Sequence, residues 1–275
     1  MKIIVTGYKG FIGSHVYNAL VEDGHEVLGH EWDEYNGCLP YVQGYDLVIH
    51  LGAISSTTET DIAKLMAQNY DFSIKLYRHC HDYGVAFHYA SSASVYGDLK
   101  KWSEDGACRP LNAYAWSKYM FERYLTQIDI ATKIDCVGFR YFNVYGNGEE
   151  HKGEQASVFT KFQHQAKKGK ITLFEGSNNF KRDFVCVDDI VQVHRQMIWK
   201  QHIDGVFNVG TGTATSFETI GKAFSAKLDV PIEYVPMPDN LQGQYQKYTK
   251  ADNTKLNDII DIKWTSPKQW VENTL

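Results

Sequence analysis

The stretch that decides the fold is residues 1–20, MKIIVTGYKGFIGSHVYNAL. An apolar run, Ile3–Val5, meets Gly7, Gly10 and Gly13 and passes into a helical pattern. The spacing predicts a strand, a tight turn and a helix. A helix N-terminus offers unpaired backbone N–H groups and partial positive charge, which suits a pyrophosphate. In such a turn Gly7 reverses the chain, Gly10 lets the backbone approach the phosphates, and Gly13 lets the helix pack on the strand. Phe11 and Ile12 in the same turn are expected to flank the dinucleotide. The pattern alone would also fit a βα turn without a ligand.

The second strand strengthens the dinucleotide reading. That strand, HEVLGHEW, carries Glu31 eighteen residues past Gly13. This is near the spacing of about 20 at which a carboxylate accepts bonds from the adenosine ribose diol. Trp32 and Asp33 stand beside it, and no Lys or Arg nearby in sequence is placed to meet a 2′-phosphate. This favours NAD over NADP; the bland reading of Glu31 is a solvated strand end. Leu51, Gly52, Ala53 and Ser55 follow a buried-strand pattern, YDLVIHLGA, and are expected beside the dinucleotide. Asn69, in a helical pattern over 61–83, is a candidate secondary contact or plain polar surface.

Strand and helix patterns alternate to about residue 146, which predicts a parallel α/β sheet with right-handed crossovers. Beyond that point the pattern becomes mixed. The expected architecture is a Rossmann-type doubly wound parallel sheet with a smaller mixed α/β C-terminal substrate lobe. Residues 1–146 would form the dinucleotide-binding domain, helped by later segments at about 180–210, and 147–275 mainly the substrate lobe.

Composition agrees with an enzyme of this type. A chain of 275 residues that is 43% hydrophobic can bury a large core. A net charge of −5 without basic blocks argues against a nucleic-acid partner. No run of apolar residues is long enough for a membrane span. Five scattered cysteines fit a reduced, cytoplasmic compartment. The HCH triplet at His79–His81 is not read as a metal site, because helical neighbours two apart do not share a face.

The second constellation is YAWSK, with Tyr114 and Lys118 four apart on one helical face. A phenol with a reference pKa of about 10 is a poor base at neutral pH. A nearby ammonium and an oxidised nicotinamide would stabilise its phenolate. The pair would then draw a proton from an alcohol as hydride leaves for the cofactor. Ser92, in YASSASVYG, ends the preceding strand where its hydroxyl would share that proton, and Lys118 would also bond the nicotinamide ribose.

With these motifs the chain resembles the extended short-chain dehydrogenase/reductases. SSTTE at 55–59, GFRYFNVYG at 138–146, HKGEQASV at 151–158, LFEGS at 173–177 and FKRDFV at 180–185 resemble the ADP-L-glycero-D-manno-heptose 6-epimerases. The resemblance covers most of the chain. It implies transient oxidation of the C6″ hydroxyl of ADP-heptose, return of hydride to the other face, and a product that serves as a lipopolysaccharide core precursor. It implies a tightly bound NADP or NAD, one per subunit, and a homo-oligomer. It places one acid/base group at Tyr114 and the other at Lys152, which can act as a base only if burial or a nearby cation lowers its pKa. It places Val144 beside the cofactor and Ser92, Asn143, Glu154, Phe174, Glu175, Gly176, Ser177, Arg182 and Tyr245 at the substrate. Arg182 suits bidentate phosphate binding or a structural pair with Asp183 or Asp188.

Departures from the family pattern lie mostly at the adenosine end. Tyr8 and Lys9 stand where small residues are usual, and Lys9 would either face the pyrophosphate or point outward. Residues 33–46 are short, so a helix and strand near the adenine are expected to be missing. Gln244 replaces a common arginine, and the chain stops near WVENTL. Competing readings are a UDP-hexose 4-epimerase, which would not require Lys152, and a non-catalytic NAD(P)-binding sensor, which would not require Tyr114 and Lys118. A 4,6-dehydratase would carry an Asp-Glu pair where Ala93 and Ser94 stand.

Overall fold

The computed structural model describes residues 1–128, 134–238 and 247–275. In chain order the first half contains β1 (Lys2–Thr6), α1 (Phe11–Glu22), β2 (Glu26–His30), β3 (Leu47–His50), α2 (Ile62–Met66), α3 (Phe72–Tyr83), β4 (Ala86–Ser92) and α4 (Ala113–Gln127). The second half contains β5 (Cys136–Tyr141), β6 (Asn143–Tyr145), α5 (Val158–Ala166), β7 (Ile171–Phe174), β8 (Lys181–Cys186) and α6 (Val187–Met197). It ends with β9 (Gly205–Val209), β10 (Ala214–Ser216), α7 (Phe217–Leu228), β11 (Ile232–Val235), α8 (Thr254–Asn257) and α9 (Pro267–Thr274).

Six strands form the main sheet in the order β2-β1-β3-β4-β5-β9, every neighbouring pair parallel. Its apolar runs follow from burial on both faces. Ile4 packs with Val48, Leu76, Phe87 and Phe121 on the side of α3 and α4. Ile3 and Val5 pack with Val16, Leu20 and Val191 on the side of α1 and α6. The sheet is therefore doubly wound.

β2 is an edge strand, and residues 31–46 carry no helix or strand. The expected loss of a helix and strand at the adenosine side is thus seen directly. The short segment instead folds back over the strand end. The His30 ring stacks on Tyr35 at 4.3 Å, and its Nε2 lies 3.0 Å from the Cys38 carbonyl oxygen.

The chain changes sheets at Phe142. GFRYFNVYG spans two strands: β5 lies in the main sheet, and β6 pairs with β8 in a three-stranded sheet, β10-β8-β6. A further pair, β11-β7, lies beside α7. Phe159, Phe184, Phe224 and Trp270 form the core of this region, with Tyr145 stacked on Phe159 at 3.8 Å. β9 then returns to the main sheet. Asp183 ties these crossings together: its buried carboxylate accepts bonds from the Thr211 N–H and hydroxyl, both at 2.8 Å, and from the Gly212 and Ala251 N–H groups at 2.9 Å. Among the described residues no helix is long and apolar enough to cross a membrane.

Candidate active site

The glycine turn is built as its sequence requires. Gly7 has φ +70°, and a Cβ on it would lie 2.5 Å from the Gly52 Cα, so the turns after β1 and β3 abut. A Cβ on Gly13 would lie 1.9 Å from the Gly7 carbonyl oxygen. Gly10 caps α1 with no side chain across the open N–H groups. Tyr8 is accommodated because β2 carries Gly29 beneath it: a Cβ there would meet the Tyr8 ring at 2.6 Å. The Lys9 ammonium pairs with Glu34. It is thereby directed to the adenosine-side segment.

Glu31 is more than a solvated strand end. It accepts the Lys9 N–H at 2.6 Å, which fixes the carboxylate against the glycine turn. Burial pushes its pKa up, and the Lys9 N–H acts against that shift. With Trp32, Gly52 and Phe72 it lines a small pocket of about 190 Å³ beside the main cleft. These features form a cradle with room for a backbone-hugging anion and an acceptor for ribose hydroxyls, so the residues present fit a dinucleotide.

Asn69 plays a different part from the expected contact. It sits in a π-helical turn, Ala67–Asp71, between α2 and α3, and is buried. Its Oδ1 accepts the Ile54 N–H at 2.8 Å; its amide donates to the Ile54 carbonyl at 2.9 Å and to the Ser117 hydroxyl at 3.1 Å. The side chain is spent holding the Leu51–Ser55 loop against α4. Leu51, Ala53 and Ser55 then line the cleft. Single-turn π-bulges recur at functional sites because the extra residue re-aims a side chain.

The proton-handling groups meet where β4 ends and α4 begins. Asn112 caps α4 by accepting the Ala115 N–H at 2.8 Å. Ser92 accepts the Ser94 N–H at 3.2 Å, and its side chain acts on the Tyr114 phenol to favour ionisation. Burial pushes the Tyr114 pKa up, against that effect. The buried Lys118 donates to the Ala90 carbonyl at 3.0 Å. Desolvation pushes its pKa down to about 8, with Glu122 opposing. Glu122 is itself clamped by Arg140, with nitrogen–oxygen distances of 2.6 and 3.0 Å.

Lys152 also lines the cleft, on the segment after β6. To make it a base, the sequence would need burial or a neighbouring cation such as Lys118. The structure corrects the sign of its partner: the ammonium donates to Glu149 at 2.8 Å and lies 4.9 Å from the Phe11 ring centroid.

Phe11, Ile12, Val144, Ser92, Asn143, Glu154, Phe174 and Ser177 line the same cleft, whose volume is about 1240 Å³. The Ser177 hydroxyl is buried with no hydrogen-bond partner among the described residues. Glu175 and Gly176 do not reach the wall. They form an exposed turn, with Gly176 at φ +76° and the Glu175 N–H on the Val235 carbonyl. Arg182 is buried in β8 rather than on the wall; its guanidinium donates to the Lys181 carbonyl and lies 5.7 Å from the ring of Phe217, which does line the cleft. Tyr245 and Gln244 lie outside the described residues.

The profile of the NAD dependent epimerase/dehydratase family matches residues 3–210. The chain belongs to that family. It is 39% identical to the ADP-L-glycero-D-manno-heptose-6-epimerase of Brachyspira hyodysenteriae, over 92% of this chain and 90% of that one. Among solved structures, the ADP-L-glycero-D-manno-heptose-6-epimerase of Helicobacter pylori shares the fold, with a TM-score of 0.83 at 24% identity over 99% of this chain and 94% of that one. The UDP-glucose 4-epimerase of Thermotoga maritima, solved with UDP-glucose, gives 0.83 at 26% identity over 99% and 96%. The Thermus thermophilus UDP-glucose 4-epimerase, solved with NAD, gives 0.77 at 25% identity over 94% and 92%.

In this member of the NAD dependent epimerase/dehydratase family, the shape of the glycine turn depends on its small residues. Gly13→Ala is expected to destabilise the protein by about 1–3 kcal/mol, because a methyl group would collide with the Gly7 carbonyl. It is also expected to displace the turn from the cofactor. Thermal melting and the nicotinamide content of the purified protein check both effects. Wild-type values for the two would contradict this account of the turn.

Proposed function

We propose that the chain inverts C6″ of ADP-glycero-manno-heptose, from D-glycero to L-glycero, by transient oxidation to a 6″-ketone and re-reduction on the opposite face. The observation that carries this reading is one cleft lined by two separate proton-handling groups: Tyr114 with Ser92 at the start of α4, and Lys152 with Glu149 after β6. The heptose 6-epimerase of Brachyspira, similar over nearly the whole chain, supports it.

The glycine turn and Glu31 would hold the dinucleotide, with Leu51, Ala53 and Val144 along its length and Lys118 at the nicotinamide ribose. When bound, the nicotinamide accepts hydride from the sugar carbon and returns it. Tyr114 Oη takes the proton of the C6″ hydroxyl, and Ser92 Oγ orients that hydroxyl. Lys118, desolvated but close enough to feel Glu122, supplies positive charge that helps the phenol ionise. Lys152 serves the other side of the carbon as a proton donor, a role suited to an ammonium held by a carboxylate. Each forward turnover leaves one proton more on Tyr114 and one fewer on Lys152; exchange with solvent restores both. Asn143 and Glu154 offer polar groups to the sugar, and Ser177 a buried hydroxyl.

NAD is the proposed cofactor. A 2′-phosphate would face the pinned Glu31 carboxylate, and Lys9 would have to leave Glu34 to meet it. A homo-oligomer is proposed on the half-exposed aromatics Trp116 of α4 and Tyr83 of α3.

Incubation with ADP-D-glycero-D-manno-heptose, followed by NMR at C6″, tests the reading. Appearance of the L-glycero epimer is expected. Retained configuration with cofactor bound would reject it, and conversion of UDP-glucose instead would favour a 4-epimerase. Lys152→Met is expected to lower turnover by about 10²–10⁴-fold while sparing melting and cofactor content. A fully active variant would end the proposal of two acid/base groups.

A further inference from the structure

Glu149 stands next to Glu150 in GNGEE, and nothing in the sequence separates the two. In the fold they differ completely: Glu150 is exposed, whereas Glu149 has no exposed surface. The Glu149 carboxylate divides its oxygens between two tasks. Oε2 accepts from the Ser157 and Thr160 hydroxyls, at the N-terminus of α5. Oε1 accepts the Lys152 ammonium at 2.8 Å, and the Ser157 N–H lies 3.3 Å from both oxygens. The N-terminal end of a helix favours a negative charge, which helps explain how a carboxylate is tolerated in full burial.

From this geometry we infer that Glu149 is the positioning residue for Lys152, holding the ammonium at the sugar carbon for proton transfer. The inference rests on the proposed role of Lys152 in the reaction. A lysine on an irregular segment has a flexible four-carbon stem and no preferred aim. Here three constraints remove that freedom. Oε1 draws the head inward. The Phe11 ring, at the first residue of α1, lies 4.9 Å from the ammonium. The backbone behind it is set by the Lys152 N–H on the Glu149 carbonyl and by Gly153 at φ +51°, ψ −122°. Capping α5 would need only one polar oxygen. The second oxygen of a fully buried carboxylate, aimed at a cation on the cleft wall, is accounted for by Lys152. Proton transfer depends on such aim, since small displacements of a reacting group cost much of its rate.

The test compares cofactor-loaded wild type, Glu149→Gln and Lys152→Met. Glutamine keeps the shape but has one acceptor, so either Lys152 or the α5 donors must face its NH₂ group. Hydride transfer is read in single turnovers from each epimer separately, by the near-ultraviolet band of reduced nicotinamide. Glu149→Gln is expected to slow the same epimer that Lys152→Met slows, by about 10²-fold, and to leave the other within about threefold. The second readout is independent of turnover: acetic anhydride labelling of Lys152 at neutral pH, followed by mass spectrometry. It is expected to be roughly tenfold faster in Glu149→Gln, because the Lys152 head group is no longer held against Oε1 and is freer to meet the reagent. If the glutamine variant does not fold, Glu149→Asp, which keeps the charge but withdraws it, must show the same epimer-selective slowing. Equal effects on both epimers, or no effect with unchanged labelling, would overturn the inference. A wild-type protein whose cofactor neither epimer reduces would instead reject the epimerase reading.

Discussion

Tyr114→Phe is expected to lower turnover by about 10³-fold with little change in stability. The substitution removes one hydroxyl and leaves the ring. That hydroxyl faces the Ser92 side chain, so its loss is expected to cost about 1 kcal/mol or less. The catalytic loss is expected to be large because, in the proposed mechanism, the phenol removes the alcohol proton. In the protein alone, burial holds its pKa up and only Ser92 pulls it down. In the proposed mechanism ionisation therefore depends on the positive charge of a bound nicotinamide, together with the buried Lys118. Turnover measured beside melting temperature and cofactor content separates a lost proton relay from a lost fold. A variant keeping more than a tenth of wild-type turnover would contradict the role given to Tyr114.

The second large effect is thermodynamic. Moving from pH 7 to pH 5 is expected to remove up to about 6 kcal/mol of stability, against a typical total of about 5–15 kcal/mol. Three buried histidines cause it. Burial pushes the pKa of His50 and His194 down to about 3 and that of His88 to about 4. These rings stay neutral in the fold while the unfolded chain takes up protons below about 6.5. Their contribution is complete above that value and is lost as pH falls, at about 1.36 kcal/mol per ring per pH unit.

The hydrogen bonds explain why the rings cannot simply charge. Ser73 donates to the Asn69 carbonyl at 2.7 Å, so its oxygen accepts from His50 Nε2, and Thr6 lies on Nδ1 at 2.6 Å. Nδ1 is then the acceptor, and protonating it requires the Thr6 hydroxyl, which also accepts the Gly52 N–H, to turn its own proton away. The Nδ1 atoms of His88 and His194 are buried with no hydrogen-bond partner among the described residues, so a proton there would find no acceptor among them. Asp183, Asp189 and Glu104, whose carboxyls burial pushes up, act in the opposite sense as they take up protons and reduce the net loss. Urea unfolding at the two pH values measures the difference. An unchanged midpoint would contradict this assignment of the histidines.

Local units of the chain were legible where one strand, turn and helix carry the whole message. Gly7, Gly10, Gly13 and Glu31 fall at fixed spacings that translate directly into a cradle, and Tyr114 and Lys118 share a face of α4. What depended on distant partners could not be read. The helical pattern over 61–83 was visible, but the π-turn that swings Asn69 inward onto Ile54 was not, since its register breaks the ordinary helical period. Periodicity cannot say which sheet a short apolar run joins, so the help expected from about 180–210 could not be resolved into β9, which joins the main sheet, and β8, which pairs with β6 outside it. LFEGS reads as one lining segment, yet the exposed turn at Glu175 and Gly176 after β7 leaves only Leu173, Phe174 and Ser177 on the cleft wall. Burial or a nearby cation was the condition set for Lys152 to act as a base; its partner, Glu149, lies three residues away in sequence and could not be told from the adjacent Glu150.

The central claim is that the sugar carbon gives up its own hydrogen and receives it back on the other face. ADP-D-glycero-D-manno-heptose carrying deuterium at C6″, converted in ordinary water and examined by NMR, tests this most directly. The account predicts an L-glycero product with the deuterium still on C6″. Inverted product carrying solvent hydrogen at that carbon would contradict it.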